Sequence, residues 1–475
     1  MRDNVIGPLG PIPSGWSLEP LRRITTKIGS GATPRGGESV YLVQRQQFAF
    51  VRSQNVLDYA FDTKDIRYVS HAHARALKGV HLQSGDLLLN ITGDGVTFGR
   101  CCIIPDSILP AAVNQHVAII RVDPSICRPG YLLAYLCHPR VKEYIGSFNA
   151  GGSRRAITKG HIESFLIALP PLEVQKEIER TLNLLLGKIA LNREQNRTME
   201  RIAHAIFRAW FVDFLPIRAK IAARAEGGEP IRAAMCAISG KRGHEIDDLS
   251  DESHKRLEVM AKQFSDDFVN SDAGEIPRSW QVIPLGNLTT YLSRGVSPKY
   301  TDGAGILVLN QRCIRENVID ITKARRHDVT ARSISGRELC VGDVLVNSTG
   351  IGTLGRVAQV MDMHEPTIVD SHVTVVRSGP AVTWNYLGLE LARRQDEIEQ
   401  LGEGSTGQTE LSRAKLAGLM IIAPPREILS HFDALTVPLR QRISTNLREN
   451  QTLAEIRDTL LPRLISGQIS LEHVV

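Results

Sequence analysis

Two stretches of the sequence, 172–214 and 426–467, constrain the fold most, because each has the pattern of one long helix. Each stretch follows a Pro-Pro pair, Pro170-Pro171 and Pro424-Pro425, and proline is tolerated at the start of a helix but poorly inside one. In the first stretch, apolar residues recur at alternating steps of four and three, which is typical of the seam of a left-handed coiled coil. Both stretches are therefore predicted to be long coiled-coil helices.

The second stretch repeats the first, including two asparagines within the apolar seam. Asparagine weakens such a seam but fixes its register and its partner. Two unrelated core helices are the alternative interpretation, which leaves the matched Pro-Pro and Asn pairs unexplained. The residues predicted to pair the helices are Ile189, Asn192, Asn196 and Met199 in the first stretch and Ile443, Asn446, Asn450 and Leu453 in the second.

The segments that precede the two stretches also repeat each other. The spacing between matched residues shortens slowly along the chain, as expected of two old copies that differ by a few loop deletions. The chain is thus interpreted as a globular unit followed by a helix, repeated once. The matched runs include Pro13-Ser-Gly-Trp16 with Pro277-Arg-Ser-Trp280, Gly85-Asp86 with Gly342-Asp343, and His116-Val with His372-Val.

Short apolar segments bounded by Gly, Pro or Asp predict strands over 86–92, 117–122, 344–348 and 373–377. Helices are predicted over 129–147 and 383–401. The fold class is predicted as α+β, with two similar globular domains separated by the two long helices. The predicted boundaries are 1–170 for domain 1, 171–215 for the first helix, 216–275 for a connector, 276–423 for domain 2, 424–467 for the second helix and 468–475 for a C-terminal tail.

The connector differs in character from the rest of the chain, because it begins with Gly227-Gly228 and then becomes acidic. It is interpreted as an ordered or partly ordered link between the two repeats. A helix or two is predicted around 253–268, and no chemistry is assigned to the segment.

Length and composition narrow the class of protein. A chain of 475 residues is too long for one core, so two to four domains are expected. The formal net charge of +6 permits a polyanionic partner without requiring one. The sequence has neither a membrane-spanning apolar run nor a signal pattern at its start, so a cytoplasmic location without a membrane is expected. The seven cysteines are scattered without zinc-ligand spacing, which favours reduced thiols.

Catalytic motifs are absent from the sequence. It has no Asn-Pro-Pro-Phe/Tyr motif of DNA amino-methyltransferases, no P-loop and no His-Glu-x-x-His. The runs Gly93-Asp-Gly95 and Gly350-Ile-Gly352 lack the rest of a dinucleotide fingerprint and are interpreted as tight turns with positive φ. His116 and His372 lie at equivalent positions before a strand, which favours a shared structural role over catalysis.

These features occur in the same order in both repeats. Their order resembles the order of features in the specificity subunits of type I restriction-modification enzymes. The resemblance covers nearly the whole chain and rests on the tryptophan-containing unit starts, the Gly-Asp turns and the Pro-Pro helix entries. Its strongest parts are Trp210-Phe-Val-Asp-Phe214 after the first helix and Arg457-Asp-Thr-Leu-Leu-Pro462 near the end. The connector is longer than in the shortest members, which puts the partner surface there in doubt.

The resemblance implies two target-recognition domains on helices that pack antiparallel, so that pseudo-two-fold symmetry relates the domains. It implies no catalytic residue, metal or cofactor in this chain. The expected partners are two modification (methyltransferase) subunits and restriction (endonuclease and translocase) subunits, which would bind S-adenosylmethionine, ATP and Mg. The apolar residues Trp210, Phe211 and Phe214 are expected to be exposed and to contact these partners.

Two different domains on one spacer predict a double-stranded DNA target that is bipartite and asymmetric. Reading bases requires polar side chains on loops that reach the groove edges. The loops before Ile157 and Leu411 are favoured, because both are glycine-rich, polar and different between the domains. Arg154→Ala and Arg155→Ala should accordingly weaken DNA binding. The DNA-binding candidates are Lys27, Thr33, Arg35, Arg52, Gln54, Asn55, Arg100, Arg154, Arg155 and Lys159 in domain 1, and Arg294, Lys299, Gln311, Arg312, Arg356, Thr406, Gln408 and Arg413 in domain 2.

Two other classes of function are open at this point. A stand-alone methyltransferase or nuclease would need the catalytic motifs that the sequence lacks, and methyl transfer by the purified chain would establish it. A non-catalytic coiled-coil scaffold would explain the helices but not the two polar-looped domains. Absence of DNA binding in the assembled complex would favour the scaffold.

Overall fold

Two helices of 40 residues each form over Leu172–Phe211, named helix A, and Arg426–Ile465, named helix B. Each begins directly after its Pro-Pro pair and, at ~1.5 Å per residue, is about 60 Å long. Helix B continues through Pro438 and Pro462, although each proline removes one backbone donor. The structure is a computed structural model that describes residues 6–45, 48–94, 96–149, 155–350, 352–403 and 409–469. Within these ranges no helix is long and apolar enough to cross a membrane.

The chain divides into unit 1, residues 1–192 with 448–475, and unit 2, residues 193–447. The division falls inside helices A and B because each part of a helix packs on the domain within its own unit. In unit 1, Leu182 of helix A and Leu461 of helix B belong to the core of domain 1. In unit 2, Phe207 of helix A and Phe432 of helix B belong to the core of domain 2.

Helices A and B pair through their asparagines inside each unit. In unit 1, Asn192 Nδ2 donates to Asn450 Oδ1 at 3.0 Å and to Glu449 Oε2 at 2.9 Å. In unit 2, Asn446 Nδ2 donates to Asn196 Oδ1 at 2.8 Å. In unit 2, Asn196 meets Asn446 and Phe207 meets Phe432, so rising numbers on helix A meet falling numbers on helix B and these segments are antiparallel. Among the other predicted pairing residues, Ile189 is buried, and Met199, Ile443 and Leu453 are half-buried.

Each unit contains a four-stranded antiparallel sheet, named its central sheet, and the strand order is the same in both. In unit 1 the order is Cys101–Ile103, Leu87–Asn90, Val117–Val122 and Thr25–Ser30. In unit 2 it is Val357–Gln359, Val344–Asn347, Val373–Ser378 and Thr289–Arg294. The predicted α+β class and the internal repeat are therefore confirmed.

A second sheet lies beside the central sheet in each unit and contains one parallel pair. In unit 1 its strands are Ala111–Val113, Phe48–Val51 and Arg67–Val69, and in unit 2 they are Tyr300–Thr301, Arg325–His327, Ile306–Leu309 and Thr367–Val369. The remaining strands form two-stranded pairs: Ser17–Pro20 with Leu166–Leu169, Gln281–Pro284 with Met420–Ala423, Ile6–Gly7 with Gly10–Pro11, Val56–Leu57 with Ala60–Phe61, Thr92–Gly93 with Arg155–Ala156, Phe268–Ser271 with Gly274–Pro277, and Ile314–Arg315 with Val318–Ile319.

Each helix predicted within a domain is in fact two. The predicted helix over 129–147 is interrupted at His138, which has the extended backbone expected of a residue before proline. The shorter helices are His71–Ala76, Pro129–Leu136, Pro139–Ser147, Lys159–Glu163, Trp384–Arg393, Gln395–Gln400 and Arg413–Ala417.

The connector contains more helix than predicted. Its helices are Leu215–Ala225, Pro230–Ser239, Gly243–Asp247 and Asp251–Gln263, and a strand over Phe268–Ser271 begins at the last residue of the predicted helical stretch. Local signals for two of these helices are present in the sequence: Pro230 in the first turn of one, and the Ser250 side chain, which accepts a hydrogen bond from Ser253 N at the start of another.

The expectation that Trp210, Phe211 and Phe214 are exposed is wrong. Their exposed fractions are 0%, 4% and 7%. They pack edge-on against aromatic rings from the end of the connector and from domain 2, with Trp210 centred 5.3 Å from Phe264 and Phe214 centred 5.4 Å from Trp280. These residues close the core of unit 2 and are not available to a partner subunit.

Candidate nucleic-acid interface

Loops that are far apart in sequence meet at one end of each central sheet, because antiparallel neighbours begin and end there. In unit 1 this end comprises residues 31–35, 91–94, 96–100 and 114–116 and is named loop edge 1. In unit 2 it comprises residues 295–299, 348–350, 352–356 and 370–372 and is named loop edge 2. Loop edges of this kind are the part of the fold that varies most freely without disturbing the core.

The predicted glycine turns lie at the loop edges. Gly93 and Gly350 have φ of 158° and 105°, whereas Gly95 lies outside the described residues. A Cβ at Gly350 would lie 2.3 Å from Thr353 Oγ1, so a side chain there is excluded sterically as well as by conformation. In unit 1 the Asp94 carboxylate accepts hydrogen bonds from the backbone and hydroxyl of Thr97, and these bonds lower the pKa of Asp94.

Equivalent histidines occupy both loop edges with the same hydrogen bond. His116 Nδ1 is 2.6 Å from Thr92 Oγ1, and His372 Nδ1 is 2.7 Å from Thr349 Oγ1. The His372 side chain is exposed, and His116 is half-exposed and also contacts Gln115. Both imidazoles are therefore oriented by a threonine hydroxyl, and that of His372 also has its other ring nitrogen near solvent.

The opposite end of each central sheet is closed by an ion pair. In unit 1 the Arg121 guanidinium donates twice to the buried Asp86 carboxylate, at 2.7 and 2.8 Å. In unit 2 Arg377 donates twice to Asp343, both at 2.7 Å. These guanidinium groups bind carboxylates at the end of the sheet away from the loop edges.

Four of the residues predicted in domain 1 lie at or beside loop edge 1. Thr33 and Arg35 are exposed, and the Thr33 hydroxyl donates to Gln115 Oε1. Arg100 is half-buried, and the exposed Arg155 pairs through its backbone with Gly93. Arg154 lies outside the described residues.

Three other predicted residues of domain 1 are bonded within the fold. Lys27 Nζ donates to Gly79 O at 2.9 Å, and burial together with nearby Arg121 lowers the Lys27 pKa. Arg52 Nη2 donates to Asp65 O at 2.7 Å. Asn55 is fully buried and donates to backbone carbonyls, so it stabilises a turn and is enclosed from solvent.

The last two predicted residues of domain 1, Gln54 and Lys159, are exposed. Gln54 lies in a 3-10 turn over Ser53–Asn55, and the Ser53 carbonyl accepts a hydrogen bond from Asn90. Lys159 begins the helix Lys159–Glu163 and lies 3.4 Å from the Glu163 carboxylate.

In domain 2, four predicted residues lie at or beside loop edge 2. Arg294 ends its strand, donates to Leu411 O at 2.8 Å and lies 2.5 Å from Glu410 Oε1. Arg356 Nη2 donates to Gly352 O at 2.7 Å within its own loop. The Gln311 side chain is 3.5 Å from the Thr353 hydroxyl. Lys299 is exposed within loop edge 2. Arg312 and Arg413 are exposed on neighbouring segments, and Thr406 and Gln408 lie outside the described residues.

Glu410 is not among the residues predicted from the sequence, and it pairs through its backbone with Thr349. Only cationic, amide and hydroxyl side chains were considered, although a carboxylate can accept a hydrogen bond from the amino group of cytosine. Its partner Arg294 was found, but the ion pair depends on a contact between distant strands that no sequence pattern shows.

The two loop edges differ in one further respect. Beside loop edge 1 a cleft of about 540 Å³ is lined by Arg100, Lys142 and Arg155 together with Asp58 and Glu143. A Cβ added at Gly99, which borders this cleft, would meet no atom within 4 Å. In unit 2 a Cβ added at the equivalent glycine, Gly355, would lie 2.7 Å from the Cα of Glu399. The same place is thus open in unit 1 and filled in unit 2. Among the described residues, no cluster of His, Cys, Asp or Glu is arranged to hold a metal.

Comparison with known proteins gives one consistent class. Residues 77–201 match the family described as the Type I restriction modification DNA specificity domain. The Type I restriction enzyme HindI specificity subunit of Haemophilus influenzae is 27% identical over 444 residues, which is 88% of this chain and 94% of that protein. The MjaIX specificity subunit of Methanocaldococcus jannaschii is 20% identical over 480 residues, 98% of this chain and 96% of the relative.

A solved structure agrees at the level of fold. The crystal structure of a type I restriction-modification S subunit from M. genitalium aligns over 97% of this chain and 99% of its own, with a TM-score of 0.50 and 11% identity. The likeness shows that this chain and that S subunit share a fold. By sequence the chain is similar over most of its length to specificity subunits of type I restriction enzymes, and residues 77–201 match the DNA specificity domain of that class.

Proposed function

We propose that this protein recognises a bipartite, asymmetric DNA target, with one half-site read by each domain. The observation that carries the proposal is the pair of loop edges, which share a framework but differ in the residues at equivalent places. Opposite the equivalent threonines Thr92 and Thr349, unit 1 has Ala156 and unit 2 has Glu410. Two loop edges that share a framework but carry different side chains at equivalent positions suit two half-sites of different sequence.

The favoured base-reading segments are those before Ile157 and Leu411. Arg155 is exposed and borders the cleft beside loop edge 1, so its guanidinium can reach a ligand without a change in the fold. Glu410 and Arg294 supply an acceptor and a donor side by side in unit 2. Guanidinium groups match guanine in the major groove, and carboxylates match cytosine.

A type I specificity subunit works on DNA together with the other subunits of its system. We propose that this chain assembles into a complex with two modification subunits and additional restriction subunits. S-adenosylmethionine, ATP and Mg would bind to those partners, and this chain would determine where on the DNA they act. The proposed gap between half-sites depends on helices A and B, each about 60 Å long.

Adenine-methylation mapping of the host genome, with and without this gene, tests the proposal. One split motif should lose methylation when the gene is removed and regain it when the gene is restored. A gene restored with the Arg155→Ala substitution should recover less methylation at that motif. A gene restored with Arg256→Ala, which replaces an exposed arginine of the connector, should recover it fully. Co-purification with a methyltransferase subunit and an unchanged map would contradict the proposal, since partners would then be present without a target.

A further inference from the structure

We infer that Arg100 and Arg356, together with His116 and His372, contact the phosphate backbone of DNA, whereas the residues that differ between the loop edges read the bases. The inference rests on the proposed function, because it assumes that both loop edges face DNA. It divides the interface into a part common to both half-sites and a part specific to each.

The two arginines occupy the same position in their units. The backbone N–H of Asn90 donates to Arg100 O at 2.9 Å, and that of Asn347 donates to Arg356 O at 2.9 Å. The glycine that precedes each arginine donates back to the same asparagine, also at 2.9 Å. Each arginine therefore leaves the central sheet at the same point and in the same direction of the chain.

The guanidinium groups of these arginines make few hydrogen bonds within the chain. In the described part of the chain, the Arg100 guanidinium makes no hydrogen bond, and that of Arg356 makes one, to Gly352 O in its own loop. The other arginines that the two central sheets share, Arg121 and Arg377, are each bonded twice to a buried carboxylate. Arg100 and Arg356 thus keep donors for an anion outside the chain.

The histidines present a second common feature at each loop edge. A hydroxyl from Thr92 or Thr349 holds Nδ1 of the imidazole, at 2.6 and 2.7 Å respectively. This bond fixes the ring. It leaves Nε2 of the exposed His372 toward solvent, whereas Nε2 of His116 lies 3.3 Å from the side-chain nitrogen of the exposed Gln115. An oriented ring nitrogen of this kind can donate to a phosphate oxygen.

The chemistry of DNA decides between phosphate and base for these residues. Two half-sites of different sequence present different base edges but the same sugar-phosphate backbone. Side chains that the two units carry at the same backbone position suit the common part, and guanidinium is the group that best matches phosphate. The side chains that differ, Ala156 against Glu410 for example, suit the part that varies.

The test uses the specificity subunit assembled with its modification subunits and the cognate duplex found by methylation mapping. Binding is measured by fluorescence anisotropy for that duplex and for an unrelated duplex of equal length, between 50 and 200 mM salt. Arg100→Ala and Arg356→Ala should each weaken binding to both duplexes by the same factor, about tenfold. Each should also lower the slope of log K against log salt by about one, and the double variant by about two.

Three control variants separate the alternatives. Arg356→Lys keeps the charge and should keep the salt slope. Arg256→Ala removes one charge from the connector and should change neither affinity nor slope. Arg155→Ala should lower the affinity for the cognate duplex more than for the unrelated one. Thermal unfolding of every variant should match that of the wild type, because the Arg100 and Arg356 guanidinium groups hold no other element in place.

Two outcomes would overturn the inference. An unchanged salt slope in both alanine variants would mean that neither arginine contacts phosphate. A loss confined to the cognate duplex, with a changed base preference, would make them base-reading residues. If the wild-type complex itself showed no preference for the cognate duplex, the proposed function would fail instead, and the two failures are therefore distinguishable.

Discussion

At the scale of single residues, each domain contains an equivalent ion pair between a buried aspartate and an arginine. The pairs are Asp86 with Arg121 and Asp343 with Arg377. Each carboxylate has a fully buried side chain and also accepts a backbone N–H, from Gln83 or from Cys340. A buried carboxylate is tolerated only when such donors surround it. The repeated Gly-Asp in the sequence therefore marks a structural requirement as well as a turn.

The ion pair of unit 1 provides a prediction of stability. Arg121→Ala leaves the Asp86 charge buried without its partner, and the free energy of unfolding of unit 1 should fall by about 3 kcal/mol. Arg23→Ala breaks an exposed pair with Glu19 and should cost less than about 0.5 kcal/mol. Urea denaturation measures both, and equal effects from the two variants would refute a structural role for the Asp86 pair.

At the scale of elements, helices A and B are paired by asparagines whose positions were predicted from the seam. Asn446 is fully buried and Asn196 is 6% exposed, so their hydrogen bond is shielded from water. A buried amide without a partner is unfavourable, and each asparagine therefore selects the register in which the other lies opposite.

A double-mutant cycle tests this pairing. Asn446→Leu leaves the Asn196 amide without its partner and should lower the free energy of unfolding by about 1–3 kcal/mol. Asn196→Leu should act in the same way, whereas the double variant should be more stable than either single one. Thermal denaturation of the four proteins gives the coupling energy, expected at about 0.5–3 kcal/mol. A double variant no more stable than the single variants would show that the two amides do not depend on each other.

At the scale of the whole molecule, the repeat predicts that specificity is modular. Each domain has its own core and its own loop edge, and each packs on helix segments within its own unit. Residues 276–423 should therefore be replaceable by the corresponding domain of a relative without disturbing unit 1.

Such an exchange should change one half of the methylated motif and leave the other half intact, because domain 1 and its loop edge are retained. Methylation mapping of a host that carries the chimera measures this result. A change in both half-sites would contradict separate reading by the two domains, and a chimera that lost Arg100 as well would control for general weakening of binding.

Periodicity and repetition in the sequence alone determined helices A and B, their pairing asparagines, the α+β repeat and the main strands. These features depend on local pattern, since a seam or an alternating strand is visible in consecutive residues. The family resemblance was visible for the same reason, because it rests on the order of local motifs.

Only the tertiary structure decided which polar residues are free and which are enclosed. Asn55 and Lys27 carry donors suited to DNA but are bonded inside domain 1, and Trp210 is covered by Phe264, 54 positions later in the sequence. Glu410 became a candidate only through the strand opposite it. Burial and hydrogen bonding depend on contacts between distant segments, and the pattern of neighbouring residues carries no record of those contacts.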